Sequence, residues 1–195
     1  MHHNTELPEI LKQLFLSIYP LEEIVLNEIA YVLRHKTINR KELLLKEGQI
    51  CKYIFFVEKG LLRSYYYDEE NEVTTWFMKE NDFVISVKSF YLQEKSTEYI
   101  QALEGCSLYY ISYEELNKLY LKHHSFCVIG TILTQQYYIR SEERLLNLRQ
   151  SSAIARYKFL INSHPDILNR CTNKMIASYL RITEETLSRI RAIKN

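Results

Sequence analysis

Glu185, Ser188 and Arg189 fall at i, i+3 and i+4 in the stretch NKMIASYLRITEETLSRIR (173–191), three polar groups on one face of a short helix. Their chemistry suits base reading. An arginine donates a pair of hydrogen bonds to guanine, a glutamate accepts from cytosine N4, and a serine serves base or phosphate. Apolar or small residues fill the complementary positions. Ile176, Ala177 and Leu180 share a face of a preceding helix, Ile182 lies in a turn, and Leu187 and Ile190 are i, i+3 neighbours on the second helix. Ala177 offers the small side chain that two steeply crossing helices need at closest approach. Thr183 can cap the second helix, and Glu184 and Glu185 follow where the helix dipole favours acids. Glu184 and Arg191 flank the exposed face. The pattern predicts a helix-turn-helix that reads double-stranded DNA; the same spacing also fits a helical hairpin with a solvated face.

The rest of the chain bears on that choice. Over residues 1–139 there are 14 basic and 19 acidic residues, and over 140–195 there are 11 and 5, so the two parts carry −5 and +6 although the net charge is +1. An acidic front and a basic tail are expected if the tail alone meets phosphates. With 195 residues and 47% hydrophobic content the chain can bury one large core or two small ones. No apolar run is long enough to span a bilayer and no export signal opens the chain, so the expected location is cytoplasmic, with no membrane partner. Cys51, Cys106, Cys127 and Cys171 lack CxxC or metal-ligand spacing and read as reduced apolar residues. The pairs His2, His3 and His123, His124 are not read as ligands, so no metal and no cofactor are expected. GxSxG, HExxH, P-loop and dinucleotide signatures are all absent, and the chain is not expected to be an enzyme.

Helical spacing over 7–32, broken at Pro20, predicts a helical lead-in. From Leu33 to Ile111 the pattern shifts to short extended runs: 43–45, 53–58, 61–67, 73–78, 83–87, 97–103 and 107–112, with a two-residue hairpin turn at Lys59-Gly60. Such spacing predicts a β sandwich or barrel. Helix resumes over 113–122, then over 126–148, where Ile129, Ile132, Gln136, Ile139, Glu143 and Leu146 alternate at three and four residues. That heptad seam suits a parallel homodimer with polar members setting register, and it equally fits a helix packing its Ile face on the β domain. Residues 149–152 read as a hinge, with a further helix over 153–162 and a break at Pro165. Alternation places Tyr65 and Tyr67 on one face and Tyr66 on the other, as core packing or as the wall of an aromatic pocket.

In order, these elements resemble the CRP/FNR family of bacterial transcription regulators. The resemblance rests on ELLLKEGQICKYIFFVEKGLLRSYY, on NDF followed by a helix at YEELNKL, and on ITEETLSRIR. It implies an α+β chain: a cyclic-nucleotide-binding-like jelly roll (double-stranded β-helix) over 1–122, a long dimerisation helix and hinge over 123–150, and a helix-turn-helix domain over 151–195 lacking an obvious wing. It implies base contacts from Glu185, Ser188 and Arg189, backbone contacts from Thr172 and Thr183, and RNA polymerase as a partner. A hypothetical effector would sit near Ser86, Lys88 and Tyr137. The family's phosphate-holding glycines, glutamate and arginine are missing from 83–98, so cyclic AMP is not the expected effector and its identity stays open. No cysteine precedes Cys51, which argues against an iron-sulfur cluster. Arg181 stands where the family's turn usually has glycine, at about 1 kcal/mol of strain. These departures keep open an alternative, a ligand-binding or protein-interaction module with weakened DNA recognition.

Overall fold

The computed structural model describes residues 6–150 and 152–193; His2 and His3 lie outside that range, as does Ser151 of the expected hinge. Two lead-in helices, α1 (Glu9–Ile18) and α2 (Glu23–Val32), bury Leu11 and Phe15, and Val25 and Ile29, each pair at i, i+4. Eight strands follow among the described residues: β1 (Arg34–Ile38), β2 (Leu43–Leu45), β3 (Tyr53–Lys59), β4 (Leu62–Asp68), β5 (Asn71–Met78), β6 (Phe83–Val84), β7 (Tyr99–Ala102) and β8 (Cys106–Ser112). They form two antiparallel four-stranded sheets, β1-β8-β3-β6 and β2-β7-β4-β5, the layers of a jelly roll. Phe55, Val57, Leu62, Ile100 and Leu108 lie in the core that the sheets share with the lead-in helices.

Two expectations are corrected here. Lys59-Gly60 is not a hairpin turn, because β3 and β4 belong to different sheets and the chain crosses between them. Gly60 takes φ +110, and a Cβ there would lie 2.6 Å from Cys106 Sγ, so the crossing requires glycine. The strand expected over 83–87 shrinks to β6, and the chain then turns into α3 (Val87–Leu92). Burial of Ser89 and Phe90, both at most 1% exposed, outweighs the β-branched local pattern. By contrast, the polar run 68–71 does close a hairpin, with Asp68 opposite Asn71 and Glu69 left-handed at φ 55.

Helix α4 (Tyr113–Lys122) opens on a capping box: Ser112 accepts from the Glu115 amide while Glu115 accepts from the Ser112 amide. Helix α5 (His124–Gln150) then runs along the roll. Beyond it α6 (Ala153–Ser163), a short α7 (Ile167–Arg170), α8 (Asn173–Leu180) and α9 (Glu184–Ile193) pack around Leu160, Ile167, Ile176 and Leu187. Leu61, Phe77 and Leu103 of the roll join that second core, so the C-terminal helices sit directly on the β2-β7-β4-β5 sheet. Among the described residues no strand follows α9, and no helix is long and apolar enough to cross a membrane.

Candidate nucleic-acid interface

The helix pair expected to be a DNA reader is built from its turn outward. Thr172 caps α8 by accepting from the Met175 amide at 3.3 Å, and Thr183 caps α9 by accepting from the Thr186 amide at 3.1 Å. Between them Arg181 adopts φ 52, ψ 52, and the Ile182 amide reaches the Ala177 carbonyl at 3.0 Å. That six-to-one bond is a Schellman closure, which needs a left-handed residue and here obtains it from arginine in place of glycine. Ala177, Leu187 and Ile190 are buried at the crossing. The opposite face of α9 presents Glu185, Ser188 and Arg189 to solvent, with Arg189 Nη2 4.0 Å from Glu185 Oε2 and both side chains at least 80% exposed. Arg191, expected to flank this face, instead turns back to donate to Asn173 Oδ1 at 2.7 Å and braces the two helices.

The reader is also held to the roll. Ser178 Oγ accepts from the Thr74 amide at 2.9 Å and donates to the Glu72 carbonyl at 3.0 Å, both on the edge strand β5. Arg144 of α5 stacks over the Tyr179 ring at 4.1 Å and donates to the Tyr179 carbonyl at 3.3 Å. Arg170 donates to Glu80 at 2.9 and 3.0 Å, to Glu104 at 2.7 Å and to Asp166 at 2.6 Å, joining α7 to two turns of the roll. Burial works against ionisation of Glu80, yet the Arg170 guanidinium and the Gly60 amide hold its carboxyl below the usual range. Spacing alone gave no hint of Ser178, Arg144 or Arg170, which, apart from the local Arg170–Asp166 pair, have partners 35 to 106 residues away. A cleft between α8 and the β4–β5 hairpin sets Asp68 and Glu72 across from Lys174 and Arg181.

The residues expected to form a dimer seam divide. Ile129 is fully buried against its own roll, which removes it from any interface, and Ile132 is half-buried. Gln136, Ile139, Glu143 and Leu146 are exposed, as are Gln135 and Glu142. With Val128 and Ile132 half-buried, an outward row of α5 runs through Ile132, Ile139 and Leu146.

The three residues expected around an effector have different surroundings. Ser86 is buried, its Oγ 3.2 Å from that of Ser96; Lys88 is exposed and pairs with Glu94; Tyr137 packs between α5 and the roll. Inside the roll, the hydroxyls of Ser86, Ser64 and Thr75 near Glu98 favour its ionised form, but burial outweighs them and raises its carboxyl. A carboxylate among three hydroxyls repels a phosphate, and 83–98 contains neither a glycine nor an arginine to hold one. Tyr137 Oη accepts from the Phe83 amide at 2.7 Å and donates to Asp82 at 3.3 Å; burial, with the Asp82 carboxylate, pushes its phenol well above the usual range. His123, at the end of α4, meets Glu28 at 2.9 Å, and among the described residues no cluster of His, Cys, Asp or Glu could hold a metal. All four cysteines are free.

Residues 35–123 match the cyclic nucleotide-binding domain family. No curated protein matches by comparison of the whole chain. Among solved structures, FixK2 from Bradyrhizobium japonicum is similar at 17% identity and TM-score 0.72, covering 83% of each chain. A CooA variant from Carboxydothermus hydrogenoformans is similar at 17% identity and TM-score 0.68, covering 97% of this chain and 86% of that one. A crp/fnr-family protein from Eubacterium rectale gives 17% identity and TM-score 0.67, covering 87% and 82%. At these identities the likeness establishes the fold: roll, long helix and C-terminal helices in the CRP/FNR arrangement.

Proposed function

We propose that this chain, a protein of the CRP/FNR fold with a cyclic nucleotide-binding domain over residues 35–123, is a homodimeric, sequence-specific DNA-binding regulator of transcription. The observation that carries the reading is the two-sided chemistry of α9. Leu187 and Ile190 are buried in the core, while Glu185, Ser188 and Arg189 are exposed on the other face beside two threonine caps that phosphates can approach. The exposed side chains of Ile139 and Leu146, with Ile132 half-buried beside them, support pairing through α5, which would present two readers to a near-palindromic operator. The roll is left as the surface for RNA polymerase. The reading is non-enzymatic, and Glu98 in the roll interior supports an effector other than cyclic AMP.

Selection of bound DNA from a random pool tests this reading directly. The full chain is expected to enrich two symmetric half-sites, and Arg189→Ala to relax one base pair per half-site at a cost of about 1–3 kcal/mol. Unchanged operator preference in that variant would remove Arg189 from the reading surface. A second reading, an interaction module with weakened DNA recognition, is favoured by the Ser178 contact with β5 and the acidic hairpin beside Lys174. Absence of salt-dependent binding to any selected sequence would favour it.

A further inference from the structure

A feature of the molecule not yet used is an apolar cavity of about 280 Å³ between α5, the lead-in helices and the sheet face that carries Ile54, Phe56 and Ile111. None of its lining side chains is charged. Three of its polar atoms are already engaged: Tyr137 Oη with Phe83 and Asp82, Tyr109 Oη with Glu58, and Thr134 Oγ1 with the Gly130 carbonyl. Close-packed cores do not leave voids of this size, and water needs several polar partners to occupy one. The wall is built to keep the space. Gly130, buried within α5, leaves room for the Tyr120 phenol, which a Cβ would meet at 2.3 Å. Glycine is costly inside a helix, so its place there reflects this contact. The cavity opens toward Val87, Tyr91 and Tyr138, which are 61%, 46% and 65% exposed.

We propose that this cavity is a binding site for a neutral, apolar small molecule, distinct from the polar interior of the roll. Since a cavity of about 150 Å³ admits benzene, this one suits a molecule of about ten to twelve carbon atoms. Its one polar end would lie at the mouth, where Tyr138 and Ser141 carry hydroxyls. A carboxylate or ammonium has no partner inside and is excluded by desolvation. The same helix that walls the cavity with Leu133 and Tyr137 carries Ile139 on its exposed face and Arg144 against Tyr179 of the reader. Occupancy therefore braces α5 against the roll and is transmitted to α8. This second step, an effector role, rests on the DNA-binding reading; the binding step stands without it.

The test is a fluorescence titration of the full chain with 1-naphthylamine, a neutral apolar probe of the size the cavity admits, followed by displacement. Saturable binding at one site per chain is expected, with decanol displacing the probe at a concentration about tenfold or more below decanoate. Leu133→Trp should fill the cavity and abolish probe binding while circular dichroism and melting stay native. Leu133→Ala should enlarge it and shift preference toward dodecanol, which keeps the site testable if the tryptophan variant fails to fold. Unsaturable binding, equal displacement by decanoate, or undiminished binding in a native Leu133→Trp protein would overturn the site. In gel shifts, decanol is expected to change operator affinity about threefold or more. Probe binding with unchanged operator affinity overturns the effector role alone, whereas probe binding without any DNA binding overturns the DNA reading and leaves the site.

Discussion

Ser178 of α8 and Thr74 of β5 share a hydrogen bond of 2.9 Å, so the first helix of the reader takes up a free amide on the edge of a β sheet. The same hydroxyl donates to the Glu72 carbonyl, and the Glu72 carboxylate pairs with the buried Arg63 guanidinium. An edge strand otherwise offers its unpaired groups to other chains. Here the strand is covered by the C-terminal helices, which couples the orientation of α8 and α9 to the roll.

Ser178→Ala leaves the Thr74 amide without its partner, and a buried unsatisfied donor costs about 1–3 kcal/mol. The expected result is that loss in denaturant melting, with faster hydrogen exchange at Thr74 and little change within α9. Unaltered exchange at Thr74 would mean that water replaces the hydroxyl without effect.

The hairpin tip carries Asp68, Glu69, Glu70 and Glu72, and Asp68 and Glu72 border the cleft that Lys174 and Arg181 share. DNA phosphates approaching those two cations meet carboxylates within a Debye length of about 10 Å. Glu69→Gln with Glu70→Gln is therefore expected to tighten DNA binding in gel shifts at low salt, with the gain fading as salt rises. A gain independent of salt would require another cause.

Ile129 and Ile139 separate stability from assembly. Ile129 is 0% exposed, so Ile129→Ala should lower chain stability by about 2–5 kcal/mol in denaturant titration. Ile139 is 55% exposed on the outward row, so Ile139→Asp should yield monomers in sedimentation with the fold intact. Dimers that survive Ile139→Asp would move the interface elsewhere.

Glu115 illustrates the expected response to acid. Its burial opposes ionisation, but hydrogen bonds from Arg34, at 2.5 and 2.8 Å, and from Ser112 hold its pKa at about 2 against an ordinary 4.5. The folded value lies below the unfolded one, so this contribution is complete above about pH 4.5 and is lost as pH falls toward 2. Glu98 has the opposite sign: burial raises its carboxyl, so ionisation weakens the fold as pH rises. Unfolding followed against pH should show Glu115→Gln flattening the acid limb and Glu98→Gln flattening the loss on the neutral side. Parallel curves for wild type and both variants would contradict these assignments.

What the chain declares locally is what local physics controls. The caps at Thr172 and Thr183, the crossing at Ala177, the exposed trio Glu185, Ser188 and Arg189, and most strands follow from side-chain period and short-range hydrogen bonding. Even the left-handed conformation of Arg181 was expected, though from the family resemblance and not from spacing, since the family's turn usually has glycine there. The rest was decided by contacts between distant segments. Whether 59–60 turns back or crosses between sheets depends on β8, since Gly60 packs on Cys106. Whether Ile129 faces a partner or the roll depends on the rotation of α5, a choice that the three-and-four spacing leaves degenerate. The attachment of the reader through Ser178 and Arg170, and the apolar cavity, arise from packing whole elements together, and no periodicity within one segment encodes them.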